Sequence, residues 1–451
     1  MKKPNLVTAL FFVLGTLVIS GGLCSAAPNT QQQPIALSLS IQDAVKRALD
    51  RNPTVLANRE RVEEASHAYS YAVSQFLPNL AGNASAFKQK AAVNGISVPF
   101  GGESYNQYTL QLKLVQPLYQ GGAIMSGLHA AEKELDIRKK DLEISERDVT
   151  AQVINSFYSV MLNQQLLNVL NYTLNEEKQT QALVEKYQKI GRTQLLDVLQ
   201  IKTQVALIYP RISTAENQMK SSASQLMSLL HDNQTEAVNL TGDLVYIDPV
   251  TVSKVLAMKR ERPELARSRI VIDQFDDKST VALATYNPSF NLQALYGKTA
   301  NSQSDLLNDF SNTWSVGFQL TVPIFSGLAS IHEKRVLASQ EKQLEYNQQS
   351  LLDNLAYSQV QAERNLDAAA AVLKSSKEAS EYSTASLKEA QREFKMATSS
   401  YTQLNTSEQN FLDAQTRFIG AKYDYIDAVT KYFVSAGVPI HELVQLLATA
   451  K

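Results

Sequence analysis

Two stretches of this chain, residues 128 to 190 and 328 to 419, contain neither glycine nor proline. Nothing in them interrupts a helix, because the residues that cost an interior turn about 1 kcal/mol (Gly) and about 3 kcal/mol (Pro) are both missing. In the first, apolar residues recur every seven positions as Leu128, Leu135, Leu142 and Val149, shift by four, and resume as Val153, Val160, Leu167 and Leu174. The second repeats the device with Leu337, Leu344 and Leu351, then Leu355. Heptads broken by four-residue stutters describe helices packed side by side with little supercoil. At 1.5 Å per residue, a helix from about Gly122 to Ile190 is roughly 100 Å long. No compact globular domain needs that.

The two stretches are matching parts of an internal repeat. Asn52-Pro53 runs to Leu77-Pro78-Asn79, and Arg262-Pro263 runs to Asn287-Pro288-Ser289; the prolines of each pair are 25 residues apart, and the pairs are offset by 210. Downstream, QPLYQGG (Gln116 to Gly122) answers VPIFSG (Val322 to Gly327), with Pro117 and Pro323 offset by 206. Each half opens with an amphipathic helix, near Ile41 to Asp50 and near Val252 to Arg260. A second helix starts at Pro53 or Pro263, where proline is tolerated in the first turn.

Between these helices and the long ones the period changes from helical to two. Tyr108, Leu110, Leu112 and Leu114 alternate with Gln107, Thr109, Gln111 and Lys113, and Trp314, Val316, Phe318, Leu320 and Val322 alternate with Ser315, Gly317, Gln319 and Thr321. This is the strand pattern. Partner strands are expected at Leu80 to Lys88 and Phe290 to Lys298, joined to the first two as hairpins through turn-rich stretches at Asn94 to Glu103 and Asn301 to Asn312. A soluble antiparallel sheet with one buried face gives the same alternation. Four strands of about ten residues nevertheless leave nothing else for that face to pack on, since the rest of the chain reads as helix. If they enter a bilayer, open sheet edges leave backbone groups unsatisfied, so several chains have to close one barrel.

Residues 1 to 26 read as a secretory signal: Lys2 and Lys3, an apolar run from Leu6 to Ile19, then small residues, with cleavage expected after Ala26. Leu23 disfavours Cys24 as a lipid-attachment site. Loss of this segment removes the one cysteine, and with it disulfide and thiolate chemistry. It leaves 41 basic against 44 acidic side chains, which gives no signal for nucleic acid. His67, His129, His231, His332 and His441 are scattered, and no phosphate loop or H-E-x-x-H pair is present. No catalytic residue, metal site or cofactor is expected.

The signal segment, the doubled architecture, the proline-marked strand ends QPLYQGG and VPIFSG, and GRTQLLDVL (Gly191 to Leu199) together resemble the TolC family of outer-membrane efflux proteins, over about residues 37 to 437. The resemblance implies a mainly α fold with membrane β-strands. A homotrimer closes a 12-stranded β-barrel, four strands per protomer, continued by an α-helical barrel in the periplasm. The expected division is residues 37–231 (strands about 80–117, long helices 122–230), residues 245–437 (strands about 289–323, long helices 326–436) and a tail, 438–451. The implied function is a passive outer-membrane conduit in tripartite efflux or type I secretion. Its implied partners are outer-membrane lipid, a periplasmic adaptor and an inner-membrane pump of the RND, ABC or MFS type.

In this family the long helices turn back at a periplasmic tip, with a small residue at the turn and an acid six positions on. Gly191 and Asp197 fit, with Tyr187 before the turn and Thr193 just after it. Gly191, the one glycine between Gly127 and Leu230, also suits the left-handed conformation of a hairpin. Pro210, in the returning helix, is expected to kink or break it. The second turn, MATSSYTQLN (Met396 to Asn405), departs from the pattern: Ala397 and Gln403 take the glycine and acid places. Phe394 and Ser399 stand where family members carry the aromatic hydroxyl and arginine of an aperture latch, and Gln403 and Thr406 fall where some carry a ring of aspartates. A polar, uncharged constriction is expected. Pro78, Pro117, Pro288 and Pro323 mark the strand–helix junctions. The rival reading is a periplasmic or surface coiled-coil scaffold whose alternating segments are soluble hairpins.

Overall fold

The structure is a computed structural model that describes residues 37–90, 104–232, 238–242, 244, 261–300, 312–396 and 398–449. The signal segment, most of the two hairpin turns, the helix expected near Val252 to Arg260, and Ala397 lie outside the described residues.

The chain runs β1 (Leu37–Leu39), α1 (Ile41–Arg51), α2 (Pro53–Ser74), β2 (Asn79–Lys90), β3 (Ser104–Gln120), α3 (Ala123–Lys189), α4 (Leu195–Leu230) and β4 (Val238–Leu240). It continues with α5 (Pro263–Leu283), β5 (Ser289–Ala300), β6 (Thr313–Thr321), α6 (Ala329–Lys395), α7 (Tyr401–Ala436) and α8 (Ile440–Thr449). Both α3 and α6 have 67 residues, and both α4 and α7 have 36. All four begin and end at an offset of 206, whereas β2 and β5 share the offset of 210 of the preceding prolines. The four-residue difference therefore falls within the hairpins, and the helical parts superpose in sequence without a gap.

Local chemistry sets the helix starts. Ser40 caps α1 by accepting from the Asp43 N–H, and Asn52 caps α2 by accepting from the Thr54 N–H at 2.9 Å, ahead of Pro53 in the first turn. The Asn52 amide also donates to the Leu229 carbonyl at 3.0 Å, tying α2 to the end of α4. Of the kink or break expected at Pro210, the break is absent: α4 is continuous from Leu195 to Leu230. Pro210 lies on the exposed side of the helix, where a ring displaces no neighbour and water can serve the carbonyl it leaves free.

β2, β3, β5 and β6 form one antiparallel sheet in that order, the β3–β5 pairing joining the two repeats. Register brings Leu80, Leu114, Ala294 and Val316 into one row across all four strands, and Gly82, Leu112, Tyr296 and Trp314 into the row two residues on. Apolar residues thus collect on one face, and that face is bare: Trp314 is 74% and Phe318 68% exposed. The rows between place Asn83, Gln111, Gly297 and Thr313 on the opposite face. At Gly297 the neighbouring strand comes so close that an added Cβ would lie 2.4 Å from the Leu110 carbonyl oxygen. Pro78 and Pro288 immediately precede β2 and β5, and Pro323 follows β6. Pro117 lies inside β3, at a register shift between Pro117 and Tyr119, so it marks a bulge before the strand ends.

The largest core lies below the sheet, where α1, α3, α4, α7 and α8 converge around Leu39, Ile154, Phe157, Leu226, Ile426 and Phe433. A short parallel pairing of β1 with β4, which the residue pattern did not reveal, ties both ends of the first repeat into it. Higher up, α5 is held on α3 by polar contacts. Arg147 lies 2.7 Å from Glu264, Arg267 Nε donates to Asp141 at 2.6 Å, and Gln274 donates to the Ala130 carbonyl at 2.7 Å. Burial pushes the Glu264 carboxyl up, but the Arg147 guanidinium outweighs it and holds the group below its usual range. A carboxyl depressed in this way adds stability above its ordinary range, and the gain is lost as pH falls through the depressed value. Glu264→Gln is expected to cost about 1–2 kcal/mol, because the half-buried Arg147 then keeps Asp148, at 2.8 Å, as its one charged partner. In urea unfolding, the variant should also lose part of the wild type's stability gain between acid and neutral pH.

Candidate functional site

The two long helical hairpins turn at the same end of the molecule, and both turns close in the same way. In the first, Gly191 takes the left-handed conformation (φ +72°) and the Arg192 N–H reaches back to the Tyr187 carbonyl at 2.8 Å. In the second, the Thr398 N–H reaches the Glu393 carbonyl at 3.0 Å, again offset by 206. Such backward bonds satisfy the last free carbonyls of a helix. The space around Gly191 is open, so its backbone angle alone demands glycine.

The returning helices are capped differently, and this accounts for the acid that the second turn lacks. Gln194 is a weak N-cap residue, and Asp197 supports it by accepting from the Gln194 N–H at 3.1 Å while the Asp197 N–H donates to the Gln194 backbone carbonyl at 3.1 Å. In α7 the cap is Ser400, whose hydroxyl accepts from the Gln403 N–H at 3.3 Å. A good cap residue makes a third-position acid unnecessary. Asp197 is therefore engaged in the fold of its own turn, and Gln403 is exposed. Thr193 donates to the Val184 carbonyl at 3.4 Å. Thr406 is exposed, with its hydroxyl turned to the Thr402 carbonyl, and Ser399 is half-buried.

Tyr187 and Phe394 come together. The Tyr187 hydroxyl donates to the Lys395 carbonyl at 2.8 Å, and its ring lies 5.8 Å from that of Phe394, which in turn meets the edge of Tyr401 at 6.3 Å. An aromatic hydroxyl from the first hairpin thus ties onto the backbone of the second without arginine. Val184, Val198, Ile201, Leu387, Phe394, Tyr401 and Leu404 form a separate small core around this tie. Beyond it the tip bares apolar side chains beside exposed Lys189, Arg192 and Lys395: Ile190, Leu195, Leu196, Leu199 and Met396 are all more than half exposed.

Sequence reasoning missed two residues here. Glu177 of α3 and Glu408 of α7 are 0% and 3% exposed, and Thr180 Oγ1 donates to Glu408 Oε1 at 3.3 Å. The signal was present. Glu177 stands seven residues before Val184, and Glu408 seven after Tyr401, so each acid occupies a core position of its heptad. Among the described residues no group of three or more His, Cys, Asp or Glu is placed to hold a metal, and no helix is long and apolar enough to cross a membrane.

The profile of the outer membrane efflux protein family matches residues 44–231 and again 257–435. Protein CyaE of Bordetella pertussis is 22% identical over 300 residues, covering 65% of this chain but only 62% of that protein. The alkaline protease secretion protein AprF of Pseudomonas aeruginosa is 21% identical over 414 residues, covering 89% of this chain and 85% of that protein. The crystal structure of the CmeC outer membrane channel of Campylobacter jejuni superposes with a TM-score of 0.75 at 16% identity, over 91% of this chain and 90% of that one.

Tyr187→Phe deletes one hydrogen bond between the hairpins and is expected to cost about 1 kcal/mol. Gly191→Ala forces a left-handed alanine and is expected to cost about 1–2 kcal/mol. Both losses should appear as faster amide exchange confined to the tip, with the core around Phe157 unchanged.

Proposed function

The chain belongs to the outer membrane efflux protein family, and from that premise we propose that it is the outer-membrane conduit of an envelope-spanning efflux or type I secretion assembly. The observation that carries this reading is the sheet. Its two outer strands, β2 and β6, each leave one edge unpaired among the described residues, and one of its faces presents an exposed apolar surface across all four strands. In hydrocarbon every backbone group needs a partner, so such a sheet is viable only in a closed barrel. Three copies joined β6 to β2 give twelve strands, with the apolar face toward lipid and the row of Asn83, Gln111 and Thr313 toward the lumen. The same closure sets the helices side by side as a tube in the periplasm. Exposed Tyr346, Tyr357 and Tyr382 on α6 supply a surface for the neighbouring copy. A coiled-coil scaffold with soluble hairpins would leave the apolar sheet face in water.

The protein acts with pump components of such a system. The finer assignment is a periplasmic adaptor bound at the helical tip, where Ile190, Leu195, Leu196, Leu199 and Met396 offer an apolar surface, and an inner-membrane pump of the RND, ABC or MFS type behind it. AprF is named for secretion of a protease; in this reading the conduit is passive and a shared conduit takes its selectivity largely from the pump. Tyr187, Gly191, Thr193, Asp197, Phe394, Ala397 and Ser399 are assigned to the tip by the resemblance, and Gln403 and Thr406 to its constriction.

Phe318→Lys or Trp314→Asp places a charge on the lipid face, at a cost of about 2–4 kcal/mol at the midplane for a lysine. The expected outcome is loss of heat-resistant trimers from outer-membrane detergent extracts; a soluble wild-type monomer in the periplasmic fraction would exclude the conduit. Planar-bilayer recordings test the constriction, which is polar and uncharged in this reading. Weak block by divalent cations, unchanged in Thr406→Ala, is expected, and strong block abolished by that substitution would count against it.

A further inference from the structure

Glu177 and Glu408 face each other in the seam between the two hairpins, two to three helical turns above the tip. The burial comes from the chain's own helices, so assembly into a trimer can only deepen it. Glu177 shares its buried row on α3 with Thr173, Thr180 and Val184, and Glu408 shares its row on α7 with Tyr401, Leu404 and Phe411. Written as two carboxylates, neither oxygen of Glu177 nor Oε2 of Glu408 has a hydrogen-bond donor. With one proton between them, the same oxygens become a hydrogen-bonded acid pair.

Among the described residues, the groups around the pair offer no counter-charge. From α3, Glu176 adds a further negative charge near Glu408; its own carboxylate accepts from the Gln391 amide of α6 at 2.8 Å. From α7, the buried Tyr401 hydroxyl lies in the field of both acids, and from α4 Asp197 acts on that hydroxyl. From α6 the small tip core receives Leu387, Ala390 and Phe394, all apolar. An isolated buried carboxylate takes up a proton when no cation compensates it.

We propose that Glu177 and Glu408 share a single proton and so act as a pH-sensitive clamp between the two helical hairpins, which releases when the proton is lost and lets the tip of the tube open. Burial holds both carboxyls above the usual carboxylate range, and Glu177 raises Glu408 further. The folded seam therefore binds protons more tightly than the unfolded chain does. Its contribution to stability is complete below the ordinary Glu range and is lost as pH rises through the raised values. Release then sets two like charges against each other in a dry seam. The clamp joins α3 to α7, alongside the Tyr187 hydroxyl and the Gln409–Gln204 bond (3.3 Å) that also join the two hairpins. Opening as a consequence rests on the conduit reading; the shared proton does not.

The experiment uses the full-length protein as purified in detergent and in planar bilayers. Amide exchange over residues 401–412, corrected for intrinsic rates, is expected to lose about tenfold in protection between about pH 6 and about pH 9, one decade for each unit of differential proton affinity. Conductance should rise over the same interval. Glu177→Gln with Glu408→Gln keeps a neutral hydrogen-bonded pair and should abolish both pH dependences in the closed form. Should that pair fail to assemble, Glu177→Leu with Glu408→Leu supplies an apolar seam with the same expectation. Protection that is flat with pH in the wild type overturns the proton pair, as does protection at high pH restored by millimolar Mg2+, which would place a cation between the carboxylates. Titrating protection with flat conductance overturns the gating role. A protein that conducts at no pH fails the conduit reading, and the exchange measurement still decides the pair.

Discussion

The outer edges of β2 and β6 carry backbone N–H and C=O groups that find no partner among the described residues, and most of the architecture answers to that shortage. A sheet of four strands is too small to close on itself, and its bare apolar face suits hydrocarbon, where each unpaired backbone group costs several kcal/mol. Closure by identical copies satisfies both edges at once, since β6 of one meets β2 of the next. The ring then fixes how the helices below must stand: parallel to the barrel axis and each in contact with a neighbour. Straight, weakly supercoiled packing follows, which the stuttered heptads provide.

The internal repeat explains how one chain meets this demand twice. An unbroken offset of 206 from the strand–helix joints to the ends of α4 and α7 keeps the two hairpins equal in length, so both tips reach the same level. Helices that form a tube cannot differ by even a turn without leaving a step of about 5 Å at the mouth. The four-residue change from an offset of 210 falls within the strand hairpins, upstream of Pro117 and Pro323. Length is constrained where the two helical hairpins must match.

At the tip the two halves reach one backbone geometry with different side chains. Gln194 with Asp197, and Ser400 alone, are alternative solutions to the free N–H groups of a helix start, which is why the acid is present in one turn and missing from the other. Capping gives the loss a local cause, independent of any charge at the constriction. The tie from Tyr187 to the Lys395 carbonyl likewise replaces a side-chain partner by a backbone one, a contact that no residue pattern announces because every residue has a carbonyl.

By itself the sequence determined what depends on short-range pattern: the long helices, from the absence of Gly and Pro; the strands, from period-two alternation; the doubling, from the proline pairs; and the first tip turn, from Gly191. These are properties of a few neighbouring residues and are written into their order. Only the tertiary structure decided that β3 pairs with β5, that Leu80, Leu114, Ala294 and Val316 form one row, that α4 runs unbroken past Pro210, and that β1 meets β4. It also brought Glu177 and Glu408, 231 residues apart in the chain, into one dry seam. Each of these depends on which distant segment supplies the neighbour. A heptad marks Glu177 as a core position, but it cannot say that the residue across the seam is another acid.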